Sequence, residues 1–138
     1  MDSNTITAAR AAIVGGPRWQ GVERGVYEIA LVGGARVEID LTDAVLMRQT
    51  DRLLQRVVDE NYEALSAVAC CAEPARLLAL AFEAVTVARG VGYVDGSYRV
   101  HLRGGRVVEF YVTSWDCSLL RRYDELLGRV AEALQEAA

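Results

Sequence analysis

Two stretches decide how this chain folds: YEIALVGGARVEIDLT, from Tyr27 to Thr42, and YRVHLRGGRVVEFYVT, from Tyr98 to Thr113. They align without a gap at an offset of 71 residues. Tyr, Leu, both Gly, Val, Glu and Thr recur in register, and the exchanges Ile29/Val100, Ile39/Phe110 and Leu41/Val112 keep the apolar character. A second match, DRLLQRV from Asp51 to Val57 against DELLGRV from Asp124 to Val130, lies at an offset of 73. A period near 70 residues in two copies reads as an internal duplication, since solenoid units are shorter and more numerous.

Inside each stretch apolar residues alternate with polar ones, and a Gly-Gly pair separates the two runs, which is the signature of a β-hairpin. A two-residue loop at Gly104-Gly105 would set Val100 opposite Glu109. A three-residue loop, Gly104 to Arg106, pairs Leu102 with Val108, Val100 with Phe110 and Tyr98 with Val112, keeping every pair apolar. The same loop in the first copy pairs Leu31 with Val37, Ile29 with Ile39 and Tyr27 with Leu41.

Helical spacing flanks the hairpins. Thr42 and Thr113 stand where N-caps belong, Thr42 as a plain cap because Val45 follows it in place of Glu. From about Asp43 the residues Leu46, Leu53, Leu54, Val57, Val58, Tyr62, Leu65 and Val68 predict one helix to about Cys70, matched by Leu119, Leu120, Tyr123, Leu126, Leu127, Val130 and Leu134 near the end. Pro74 and Gly90 bracket a further helix that is apolar nearly all round, and a weaker one spans about Asn4 to Val14. The expected fold class is α+β: an internally duplicated α-β-β-α unit, with four antiparallel strands as two hairpins flanked by helices. It forms a single pseudo-twofold domain over 1–138, copy one about 1–70 and copy two about 71–138.

Composition narrows the function. The chain has 138 residues, 52% of them hydrophobic, with a formal net charge of −4, so a packed core is affordable and a globally basic nucleic-acid-packaging surface is excluded. No apolar run is long enough for a membrane span and the first residues carry no basic, apolar leader, which makes a cytoplasmic protein with no membrane partner the expectation. All 15 basic residues are Arg. Three cysteines, two adjacent, exclude a disulfide framework and lack zinc-site spacing; buried, inert thiols are expected, with no metal and no cofactor. One histidine, His101, has no nucleophile to serve, the glycine pairs match no phosphate-loop pattern, and the carboxylates of the first hairpin read as a solvated face. No enzyme is expected.

The two copies differ in charge. From Tyr27 to Asp43 there is one Arg against four carboxylates, whereas from Arg89 to Thr113 there are four Arg against two. The second hairpin therefore presents a strip of Arg99, His101, Arg103 and Arg106 interleaved with Tyr111 and followed by Trp115. Guanidinium groups beside rings are what hold single-stranded nucleic acid, phosphates on the former and bases on the latter. A solvated face whose arginines are balanced by carboxylates is the competing reading. Arg18 and Trp19 lie in an aperiodic stretch read as a loop, where Trp19 either covers a core edge or offers a further platform.

Paired hairpins flanked by helices in a compact, lysine-free chain resemble the ThermoDBP-related single-stranded DNA-binding proteins of hyperthermophilic archaea. The resemblance implies sequence-independent binding of single strands, by an oligomer, through a cleft that combines apolar and basic groups. The function expected is thus single-stranded nucleic-acid binding, DNA or RNA, through the strip on the second hairpin. The alternative is a non-enzymatic scaffold that self-associates, most simply as a dimer, through the apolar helix from Pro74 to Arg89.

Overall fold

In a computed structural model that describes residues 3–14, 19–23, 26–31 and 34–137, the chain is mostly helical. The elements run α1 (Ser3–Val14), β1 (Trp19–Glu23), β2 (Val26–Ala30), β3 (Arg36–Asp40), α2 (Leu41–Glu60), α3 (Tyr62–Ala69), α4 (Pro74–Gly90), β4 (Gly96–His101), β5 (Val107–Val112) and α5 (Ser114–Ala137). The expected four strands in two hairpins, written as α-β-β-α twice, are not what forms. Among the described residues five strands make a three-stranded antiparallel sheet, β1-β2-β3, and a separate two-stranded sheet, β4-β5, alongside five α-helices.

The extra strand is the stretch read as a loop. Trp19 pairs with Ile29, Gln20 with Glu28 and Gly21 with Tyr27, and the register then slips so that Glu23 meets Val26. A bulge of this kind breaks the period-two pattern by which a strand is recognised.

Both hairpins are closed one residue earlier than the apolar pairing predicts. Leu31 N–H donates to Ala35 O and Leu102 N–H to Arg106 O, each at 2.7 Å. Val100 therefore faces Val108 and Tyr98 faces Phe110, while Ile29 faces Val37 and Tyr27 faces Ile39. The second turn, Arg103–Gly105, explains the shift: Gly104 and Gly105 both sit at positive φ, +74° and +76°, so both must lie inside the loop. Arg106 in the second of those places would strain its Cβ. Because the shift is two residues in the pairing, the side chains of β4 and β5 keep their faces.

The helix expected from Asp43 to Cys70 is two helices, broken at Asn61. The side-chain amide of Asn61 donates to Val57 O at 2.9 Å and to Glu109 O at 2.8 Å, and its Oδ1 accepts Glu109 N–H at 2.9 Å. It thus caps the free edge of β5 as a neighbouring strand would, an alternative to helical bonding that Asn side chains favour. Thr42 is not a cap but lies inside α2. The helix is opened by Asp40 and Asp43, each carboxylate accepting the other's backbone N–H at 2.9 and 3.1 Å. Thr113 does open α5, in the same reciprocal arrangement with Asp116. An Asp three residues on closes such a box as Glu does.

The chain divides into two compact units, residues 1–48 with 122–138, and residues 49–121. In the first, the inward residues Val37 and Ile39 of β3 join a core of Ile6, Ile13, Leu46, Leu126, Leu127 and Val130. In the second, Val108, Phe110 and Val112 of β5 share a core with Leu54, Val57, Leu65, Leu77, Phe82 and Val85. Helix α4, expected to be apolar nearly all round, buries Leu77, Leu80, Ala81, Ala84, Val85 and Ala88 there and leaves Val87 exposed. Each side chain so buried contributes up to about 1.5–3 kcal/mol if large.

Candidate nucleic-acid interface

Most of the predicted strip falls within the second unit. Strands β4 and β5 turn Ser97, Arg99 and His101, and Glu109 and Tyr111, toward solvent, because their neighbours in the alternation are claimed by the core. On the inward face the rings of Tyr98 and Phe110 stack at 5.4 Å. Arg99 stands across the strands from Glu109, with 3.6 Å between charged atoms and both side chains well exposed. An exposed pair of this sort is worth about 0–1 kcal/mol, so a phosphate competes with it readily.

Tyr111 is 51% exposed, and its hydroxyl donates to Asp95 Oδ1 at 2.6 Å while Ser114 Oγ donates to Asp95 Oδ2 at 3.0 Å. The bond to Asp95 holds the Tyr111 phenol above its ordinary 10.0, and the bonds from Tyr111 and Ser114 hold the Asp95 carboxyl below 3.8. The stabilising effect of the raised Tyr111 is present below pH 10 and is lost as pH rises through its folded value. That of the lowered Asp95 is present above pH 4 and is lost as pH falls through its folded value. Asp95→Asn should bring the Tyr111 ionisation back toward pH 10, read as the tyrosinate absorbance that disappears in Tyr111→Phe. An unchanged titration in Asp95→Asn would remove the bond as its cause.

The other predicted residues are scattered. Trp115, in the first turn of α5, is 65% exposed. His101 is exposed opposite Val107, and Arg103 opens the second turn with no ion pair among the described residues. Arg106 borders a different groove, of about 520 Å³, together with Asp59, Glu60 and Glu63, and those three carboxylates make it a poor ligand for phosphate. Trp19 opens β1 of the first unit, and Arg18 lies outside the described residues. Of the thiols read as buried, only Cys117 is, and burial raises its pKa; Cys70 and Cys71 are exposed, because α3 ends at Cys70 in a left-handed turn.

Two cations that the sequence did not single out belong to the surface. Arg52 and Arg56 of α2 line a hollow of about 280 Å³ with Gln49, Leu53, Trp115, Asp116 and Leu119. Arg56 Nη2 donates to Asp116 Oδ2 at 3.1 Å and to Tyr111 O at 2.9 Å. A second groove, of about 420 Å³, runs over Glu60, Ser97, Arg99, Glu109 and Tyr111. Tyr111 and Trp115 thus each line a hollow with a guanidinium, while Tyr62, a third large exposed ring of the unit, shares the acidic groove with Arg106. Among the described residues no three His, Cys, Asp or Glu side chains gather as a metal site, and no single helix is long and apolar enough to cross a membrane. Neither a family model, a curated protein nor a solved structure matches this chain.

Proposed function

We propose that the second unit binds single-stranded nucleic acid without sequence preference, using Tyr111 and Trp115 against bases and Arg52, Arg99 and Arg103 against phosphates. The observation that carries this reading is the exposure of Tyr111 and Trp115 on one unit, each lining a hollow together with a guanidinium group. The free thiols fit the reducing cytoplasm. Binding is led by stacking, because the chain is acidic overall. About three phosphate contacts give a log-log salt slope of roughly −2 on the single-strand scale.

Titration of the tryptophan fluorescence with oligothymidine at several salt concentrations tests this. Saturable quenching with that shallow slope is expected, and duplex DNA of equal length should compete weakly because its bases are already stacked. Equal competition by duplex would sink the reading. A second reading, self-association, is favoured by one observation: Val87, Val91 and Val94 are all exposed at and just beyond the end of α4. Sedimentation showing a single 15.1 kDa species at micromolar concentration would remove it.

A further inference from the structure

We propose that the hollow beside Trp115 seats one nucleotide of the bound strand, its base on the indole and its phosphate on Arg52. The proposal rests on the reading above and deepens it. Gln49, Arg52, Leu53 and Arg56 recur at positions i, i+3, i+4 and i+7 and so lie along one side of α2. Trp115 and Leu119 face them, one turn apart on α5. Leu53 and Leu119 are buried and give an apolar floor, Trp115 gives a ring, and Arg52 with Gln49 gives donors at the rim. At about 280 Å³ the hollow lies at the lower end of small-ligand pockets, which suits one nucleotide and not a folded length of strand.

The charges select a phosphodiester. Asp116 is the single carboxylate among the lining residues, and its Oδ2 already accepts Arg56 Nη2 at 3.1 Å and Thr113 N–H at 3.0 Å. Arg56 is thereby compensated and held. Arg52 makes no hydrogen bond or ion pair among the described residues, which leaves one planar cation for one singly charged anion.

The chain contains its own control. At an offset of 73 the framework residues Leu53, Arg56, Asp116 and Leu119 correspond to Leu126, Arg129, Asp43 and Leu46 of the first unit. There Arg129 Nη2 meets Asp43 Oδ1 at 2.7 Å, the counterpart of the Arg56–Asp116 pair. Yet Trp115 corresponds to Thr42 and Arg52 to Glu125. The same framework stands there with no ring, with Glu125 in place of Arg52 and Arg122 in place of Gln49, so neither Trp115 nor Arg52 is demanded by the fold.

The test uses Trp19→Phe, in which Trp115 is the one remaining tryptophan, titrated with thymidine, thymidine monophosphate and an eight-residue oligothymidine. The oligothymidine should quench Trp115, the monophosphate should do so more weakly, and thymidine least. Arg52→Glu, the residue of the first unit, should weaken oligothymidine binding by about tenfold or more with no change in thermal midpoint, since Arg52 is exposed and unbonded. If oligothymidine binds but Arg52→Glu stays within twofold of its parent, the seat is refuted while strand binding stands, carried by the hairpin face. Quenching by the monophosphate without binding of oligothymidine would keep a nucleotide seat and remove the strand. Quenching by none of the three would remove both.

Discussion

Asp116→Ala should cost about 2–3 kcal/mol of stability, lowering the thermal midpoint by about 10 °C as followed by circular dichroism. Two side-chain interactions end together. The Thr113 N–H loses its acceptor at 3.0 Å, which breaks one half of the reciprocal box that opens α5, and Arg56 is left without its carboxylate. A cap of this kind is worth about 1 kcal/mol. The remainder comes from the ion pair, whose carboxylate is buried although its Arg56 side chain is 42% exposed, and that exposure keeps the loss below the range for a fully buried pair. Asp43→Ala, which strips the corresponding pair and the Asp40 box from α2, should cost less, about 1–2 kcal/mol, because Asp43 is less buried. The reverse order would mean that burial of the carboxylate does not set the cost.

Trp115→Ala should weaken oligothymidine binding by about ten- to a hundredfold at every salt concentration. Stacking is worth about 1–3 kcal/mol per base and involves no counterions, so removing the ring shifts the whole salt curve without changing its slope. Arg103→Ala should behave differently, weakening binding at low salt and flattening the slope by about 0.7. Because Trp115 is largely exposed, its truncation should change stability by no more than about 0.5 kcal/mol, so loss of binding cannot be ascribed to unfolding. Parallel loss in both variants, confined to low salt, would contradict binding led by stacking.

The sequence shows the hairpins clearly because their inner faces must be apolar, and the repeat at 71 residues displays that demand twice. It does not show which glycine enters the turn, since Gly104-Gly105 supplies two left-handed residues where the apolar pairing asks for one. Strand β1 is hidden by its own irregularity between Gly21 and Glu23. The break at Asn61 is hidden because the bond that rewards it is made to Glu109, 48 residues away. In the candidate site Arg99, Tyr111 and Trp115 stand out through alternation and residue type. Arg52 and Arg56 do not, for on α2 alone they read as ordinary solvated positions, and only folding brings α2 against Trp115. The acidic surroundings of Arg106 are hidden for the same reason, because the carboxylates around its groove come from residues 59–63.

Both clasping ion pairs join a residue that precedes Cys70 to one that follows Pro74: Asp43 to Arg129, and Arg56 to Asp116. Neither half of the polypeptide therefore owns a complete unit, and the exposed residues Cys70 to Glu73 are the seam between them. Severed at that seam, the protein would be an obligate heterodimer whose survival depended on how much of each fragment was present, and dilution would dissolve it as surely as heat. The intact backbone acts as a tether that sets the effective concentration of one half around the other.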